Sequence, residues 1–273
     1  MLSVVMPVYN EEKYVEQAIN SVLSQQGVDF ELIIGDHSST DNSMGIIAKF
    51  RSDSRVKIVT TSPGGYIQKS WDNVTSYATG KYLKLVCADD YLLADNLKRQ
   101  VELLEANPGA VLTASRRKVV DSRGNEIISA LGLHGISSPM KGGKAIAKTI
   151  RAGRNLFGEP SCVTMSRSVF LKAGGWSGHY PYVIDLMTYA KVLSLGDFVP
   201  DQSVGAAFRL NTNSVSFAES ATQAKQVVAF HREFRSLLPD EVTRLDVYLG
   251  NLRAHISSYL RRIIFMKLKK RMN

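Results

Sequence analysis

Short apolar, β-branched runs alternate with stretches of helical periodicity along the first part of the chain. LSVVMPV (2–8), FELIIGD (30–36), VKIVTT (56–61) and KYLKLVC (81–87) read as strands. Between them, YNEEKYVEQAINSVLSQQ (9–26) sets Tyr14, Ala18 and Val22, with Ile19 and Leu23, at helical spacing. STDNSMGIIAKF (39–50) and YIQKSWDNVTSYAT (66–79) read as two further helices, the second preceded by a Pro63-Gly64-Gly65 turn and closed by Gly80. Asn10 is the expected cap of the first helix, with Glu11 and Glu12 in its first turn. Alternation with short connections calls for an α/β fold: a mostly parallel central sheet with helices on both faces.

Three of these strands end in polar residues, at Tyr9-Asn10, Asp36-His37 and Asp89-Asp90. In a parallel sheet those ends share one edge, where open α/β sheets place their ligands. Adjacent carboxylates without a neighbouring cation are poor core material, because each is expensive to desolvate unpaired. They suit a hard divalent cation that keeps some water and binds a diphosphate. Neither G-x-G-x-x-G after the first strand nor G-x-x-x-x-G-K-[ST] is present, so any nucleotide is held without those loops.

Further on, KRQVELLEANPG (98–109) is an amphipathic helix, and AVLTASRRKVVD (110–121) a strand that turns basic at Arg116, Arg117 and Lys118 on a solvated edge. A turn at 124–127 and the Gly-, Ser- and Pro-containing segment 129–143 predict a mobile loop over the site. In YVIDLMTYAKVLSLGDF (182–198), Asp185 opens an amphipathic helix. Residues 218–273 read as two helices separated at Pro239, and the last places Leu249, Leu252, Ile256, Leu260, Ile263 and Ile264 on one side.

Charge sharpens the view of that last helix. After Asp246 there are seven basic residues and no acidic one, so the tail supplies most of the net charge of +9. The rest is near neutral, unlike a nucleic-acid binder, which needs a basic face on its folded domain. Such a tail resembles interfacial helices that bind anionic lipid. A helix packed on its own domain, or on a second subunit in a homodimer, is the equal alternative. Cys87 and Cys162 each fall in an apolar run that reads as buried strand, which points to a reducing compartment. The start of the chain lacks a basic signal-peptide region, and no run approaches the length of a spanning helix. The expectation is a cytoplasmic protein, at most peripheral on the inner face of the plasma membrane.

PVYNEE (7–12), GDHSSTDNS (35–43) and CADD (87–90), in this order and at these intervals, resemble the nucleotide-binding half of family-2 glycosyltransferases of the GT-A fold. GEPSCVTMSRSVFLKAGGW (158–176) resembles the start of their acceptor half. The resemblance implies an inverting, metal-dependent transfer of a sugar from a nucleotide diphosphate, UDP favoured and TDP next, in surface-polysaccharide or lipid-linked glycan synthesis. It implies a GT-A domain over 1–217, with a nucleotide-binding half at 1–97 and an acceptor half at 98–217, and a helical extension at 218–273. It assigns Pro7, Val8, Tyr9, Glu11, Asp36 and Asp89 to the nucleotide, with Tyr9 packing on the base and Asp36 accepting from the base N3–H. Asp90 becomes the direct ligand of Mn2+ or Mg2+, Asp89 a ribose- or metal-side acid, and Asp185 the catalytic base. Arg209 keeps a phosphate or loop-ordering role. The chain departs from the pattern at His37 and Ser38, where Asp and Gly are usual, at Cys87, where many members carry Asp, and at Ile184 and Asn211. Cys87 is expected as a buried strand residue and not a ligand. A catalytically inactive nucleotide-sugar-binding module is the alternative. A nucleotidyltransferase would want a Gly-rich basic loop where this chain has Asn10-Glu11-Glu12.

Overall fold

The computed structural model describes residues 1–60, 67–211, 219 and 222–272, with side chains up to Arg261. The expected turn at Pro63-Gly64-Gly65 lies outside the described residues. The first half is the predicted alternation: β1 (Leu2–Val8), α1 (Val15–Leu23), β2 (Phe30–Asp36), α2 (Ser43–Ala48), β3 (Val56–Thr60), α3 (Ile67–Ser76) and β4 (Tyr82–Leu85). β1 pairs in parallel with β2 and β4, and β2 with β3. Both faces of β1 are covered, which is why LSVVMPV is apolar except at Ser3 and does not alternate. Gly35 in β2 is required by a close approach: a Cβ there would lie 3.2 Å from the Val74 side chain of α3.

The second half is mixed. It comprises β5 (Tyr91–Leu92), α4 (Asn96–Ala106), β6 (Ala110–Val120), β7 (Glu126–Leu131), β8 (Met140–Lys141), α5 (Gly142–Ala152), β9 (Val163–Ser166), α6 (Arg167–Lys172), α7 (Ile184–Leu193) and β10 (Asp197–Arg209). Among the described residues the sheet runs β3-β2-β1-β4-β9-β6-β10-β5, with β7 on β6 and β8 on β10. β9 is antiparallel to both its neighbours, β4 and β6, and welds the parallel first half to the β6–β10 parallel pair. α8 (Gln223–Leu237) and α9 (Arg244–Met272) follow, separated by a turn through Pro239. They pack on each other and α9 packs on α5.

Three sequence expectations change. Asn10 does not cap α1, which starts at Val15: Asn10 has φ +54°, outside the extended range a cap adopts, so Glu11 and Glu12 precede the helix. The segment 129–143 is not a mobile loop, because β7 occupies its start and Leu133 and Ile136 are buried at 3% and 1% exposure. α7 is not amphipathic; eight of its ten residues are buried, as in a helix enclosed on all sides.

One buried charge carries a measurable cost. Lys84, at the centre of β4, is fully buried, and its ammonium donates to Gln100 Oε1 at 3.0 Å and to the Val163 carbonyl at 3.4 Å. Burial pulls it down to about 7. The unfolded chain therefore holds this proton up to the ordinary lysine range while the folded chain releases it near neutrality, so stability rises with pH across that window. Lys84→Met is expected to be at least as stable as wild type near pH 6. Its advantage should shrink by about 1.4 kcal/mol per pH unit between pH 7 and 9. Urea titrations of both proteins at several pH values check this, and a gap independent of pH would contradict it.

Candidate functional site

The carboxyl ends of β1, β2 and β4 lie side by side, with Val8 in register with Asp36. The loops after β1 and β2 are laced together by reciprocal hydrogen bonds. Asn10 N–H donates to Ser39 Oγ at 3.0 Å, and Thr40 N–H donates back to Asn10 Oδ1 at 2.8 Å. Glu11 N–H donates to Ser43 Oγ at 2.9 Å and Glu12 N–H to Asp41 Oδ2 at 3.0 Å, while Asn42 N–H donates to Glu12 Oε2 at 3.0 Å. The Asn, Ser and Asp residues read from sequence as cap and turn formers thus fasten one loop to the other. Ser38 stands at φ +59°, a left-handed conformation that favours glycine.

Each predicted residue can now be placed. Asp36 is 5% exposed and accepts from Ser39 N–H at 3.1 Å. Tyr9 is 57% exposed and meets His37 edge-on, with ring centroids 6.3 Å apart, so it is an open aromatic platform and not a buried strand end. Val8 keeps its side chain in the core at 1% exposure, which leaves only its backbone for a ligand; Pro7, in register with Gly35, is half-buried. Glu11 faces Asp89 and Asp41. Burial, then those two charges, pushes it up to about 8 against the opposing pull of Arg209.

The densest negative charge is at CADD. Cys87 Sγ and carboxylate oxygens of Asp89 and Asp90 lie within 4.8 Å of one another. Asp90 is 2% exposed; Ser161 Oγ donates to its Oδ2 at 2.8 Å, and the backbone N–H of Arg209 to its Oδ1 at 3.1 Å. Burial, and then the neighbouring charge of Asp89, raises Asp90 well above the carboxylate range; burial also raises Asp89. Buried Asp90, held by neutral donors and beside the half-buried Asp89, is short of positive charge, which is the condition a divalent cation satisfies. Cys87 is beyond the end of β4, not within a strand as expected, and its N–H donates to Ser161 Oγ at 3.2 Å. Burial and the surrounding acids raise its thiol, so it stays neutral beside the carboxylates.

Arg209 orders this edge. Its Nε donates to the Asp89 carbonyl at 2.9 Å, Nη1 to the Asp121 carbonyl at 3.3 Å and Nη2 to Gln17 Oε1 at 2.7 Å. The guanidinium is 4.5 Å from the centre of the Tyr14 ring and 5.7 Å from that of Tyr91. At 3% exposure it holds the loop and does not present itself to a phosphate.

Asp185 reaches the same edge from the first turn of α7. Asn155 Nδ2 donates to its Oδ2 at 3.0 Å and Leu186 N–H to its Oδ1 at 2.7 Å. Burial, reinforced by the charge of Glu159, pushes it up to about 7. Glu159 pairs with the buried Arg117 and is close enough to raise Asp90 as well, so it links the CADD and α7 acids. Asn155, Glu159 and Ser161 were not singled out from sequence. The G-x-P-S turn did contain the last two, at its variable and its serine positions.

The sequence model of glycosyl transferase family 2 matches residues 3–173, more than half of the chain. The chain belongs to this family. Among curated relatives, it is 31% identical over 107 residues to the Escherichia coli UDP-Glc:alpha-D-GlcNAc-diphosphoundecaprenol beta-1,3-glucosyltransferase WfgD, covering 39% of this chain and 42% of that protein. It is 31% identical over 126 residues to the Staphylococcus aureus poly(ribitol-phosphate) beta-N-acetylglucosaminyltransferase TarS, covering 45% of this chain and 22% of TarS. The matched stretches thus span less than half of either relative. The fold is similar to that of TarS 1-349 in complex with UDP-GlcNAc, with a TM-score of 0.71 at 17% identity over 94% of this chain and 72% of that one. It is also similar to the mannosyltransferase PcManGT from Pyrobaculum calidifontis in complex with GDP-Man and Mn2+, with a TM-score of 0.66 at 15% identity over 95% and 73%. These likenesses establish the GT-A-type α/β fold with its large central sheet and helical C-terminal region.

Because Arg209 ties three separate segments to the CADD loop, even a charge-preserving change should loosen it. Arg209→Lys loses the fork that reaches all three acceptors and is expected to lower the unfolding free energy by about 2–3 kcal/mol. Chemical denaturation reads this directly; a loss below about 0.5 kcal/mol would show that the network is not structural.

Proposed function

We propose that this family member transfers a sugar from a nucleoside diphosphate donor to an acceptor hydroxyl with inversion, in the synthesis of a surface polysaccharide or lipid-linked glycan. A UDP-sugar is the favoured donor and a TDP-sugar the second. The observation that carries this reading is the meeting of two differently prepared acid groups at one sheet edge. Buried Asp90, held by neutral donors, has half-buried Asp89 beside it, and Asp185 is raised to about 7 and held at both oxygens.

In this reading the nucleotide-binding half, 1–97, supplies Tyr9 as the platform for the base, with Pro7 and the Val8 backbone beside it and Glu11 at the rim. Asp36 accepts from N3–H, a hydrogen that uracil and thymine carry and cytosine lacks. Asp89 and Asp90 would hold Mn2+ or Mg2+, which when bound neutralises charge on the diphosphate leaving group. Asp185, in the acceptor half, takes the proton of the attacking hydroxyl as general base, on the face opposite the leaving group. Asn155 and the Leu186 N–H fix the orientation of that carboxylate, and Glu159 raises its basicity. None of the described helices is long and apolar enough to cross a membrane; a cytoplasmic site, peripheral on the inner face of the plasma membrane, suits a lipid-linked acceptor.

Thermal-shift titration with UDP, TDP, GDP, CDP and ADP, with and without manganese, tests the donor site. A metal-dependent shift with UDP or TDP that Asp90→Ala removes is expected; no shift with any nucleotide would overturn the reading. For turnover, a base that must be ionised gives activity that falls about tenfold per pH unit below its pKa. The acid limb of kcat/KM is therefore expected near pH 7, where Asp185 titrates. Asp185→Asn should bind donor normally and lose most turnover together with that limb. Wild-type turnover in Asp185→Asn would make the base assignment wrong, and donor binding with neither transfer nor hydrolysis in wild type would favour the inactive binding module.

A further inference from the structure

Among the described residues, α9 packs on the fold through one side and presents an apolar stripe on the other. Its inner side carries Gly250, Ala254 and Ser258, all buried. The contact with α5 is close: a Cβ on Gly250 would lie 2.1 Å from the Ile150 carbonyl oxygen, and one on Gly153 would lie 2.5 Å from that of Gly250. Arg253 Nη1 donates to the Arg151 carbonyl at 2.7 Å, and Arg151 pairs with Asp246 at 3.5 Å. The helix is thus fixed in rotation as well as in position.

Its outer side presents Leu245, Tyr248, Leu252, Ile256, Tyr259 and Leu260, each more than half exposed. Spacings of three and four residues put them in a single stripe along the helix. Apolar side chains of this size, contiguous and open, mark an interaction surface. Around and beyond the stripe the sequence carries seven basic residues from Arg253 to Arg271 and no acidic one.

We propose that this outer face of α9 docks on an anionic lipid bilayer and holds the acceptor side of the site at that surface. The chemistry selects the occupant. An apolar stripe flanked by Lys and Arg matches the boundary between acyl chains and anionic headgroups. A second copy would instead bring its own basic tail against this one, and after Asp246 the sequence offers no acidic residue to pair with it. The geometry sets the orientation. α9 leans on the C-terminal end of α5, directly before the loop in which Asn155 holds Asp185. Further along, the Arg261 guanidinium is 5.5 Å from the ring centre of Tyr182, three residues before Asp185. The inner side of α9 therefore packs beside the segments that carry Asn155 and Tyr182, and a bilayer on its outer side would lie across the helix from Asp185, on the acceptor half of the molecule. This inference rests on the transferase reading for the identity of the acceptor half, but lipid binding is measured independently of it.

The test is co-sedimentation of the full chain with phosphatidylcholine vesicles and with vesicles in which phosphatidylglycerol replaces part of the phosphatidylcholine. Partition onto the anionic vesicles, weakened by salt, and little onto the neutral ones is expected. The variant Leu252→Ser/Ile256→Ser/Tyr259→Ser should lose about tenfold or more of that partition, with melting temperature and donor hydrolysis in lipid-free buffer unchanged. Light scattering of both proteins supplies the control. Wild type that ignores anionic vesicles, a triple variant that still binds them fully, or a wild-type dimer that the variant breaks would each overturn the proposal. The last would assign the face to a second copy. Nucleoside diphosphate release without vesicles reports the transferase reading alone, so failure of one is told apart from failure of the other.

Discussion

Asp90 is buried in the connection between β4 and β5, and no side-chain cation of the protein pairs with it among the described residues; its two oxygens are held by the Ser161 hydroxyl and the Arg209 backbone N–H. Those two donors come from far along the chain, one just before β9 and the other at the end of β10. This acid of the first half is therefore oriented by the half that follows it. Arg209 repeats the arrangement with its side chain, reaching back to Gln17, Asp89 and Asp121. Even with these donors, burial and the charge of Asp89 raise Asp90 well above the carboxylate range. A cation placed beside it would favour the ionised form.

The same economy governs the surroundings of Asp185. Arg117 is spent on Glu159, and Glu159 in turn acts on Asp185 through its charge. The edge thus keeps a surplus of negative charge although positively charged side chains run through the structure around it. Neutral donors from Asn155, Ser161 and backbone fix where the acids point, and burial, followed by neighbouring charge, fixes how readily they give up a proton.

The first half of the fold was legible because its strands are buried on both faces and separated by short, strongly punctuated connections; LSVVMPV and FELIIGD admit no other element. The carboxylates at the strand ends were legible for the same reason, since a parallel sheet gathers its strand ends. The second half was harder. β9 enters antiparallel between β4 and β6, a long-range pairing with no local signature. α5 begins at Gly142-Gly143, which read as loop, although Ala145, Ile146, Thr149 and Ile150 line its buried face. Asn155 and Ser161 act on residues 30 and 71 positions away, so their roles are set by tertiary contact and no motif spacing could reveal them. Asn10 shows the opposite error: a residue type that caps helices was used to staple two loops, because its hydrogen-bonding groups serve either purpose.

The position of β9 also matters while the chain is being made. A ribosome that has just released β4 has produced four parallel strands whose outer edge is unpaired, and it must synthesise residues 86 to 162 before the strand that covers that edge exists. An open, apolar strand edge is a template for aggregation during such a delay. In the middle of that strand stands Lys84, whose charge the finished fold buries at a cost. In the nascent chain the same ammonium is in water, and a charged lysine in an uncovered strand is one of the devices that keep neighbouring chains from pairing with it.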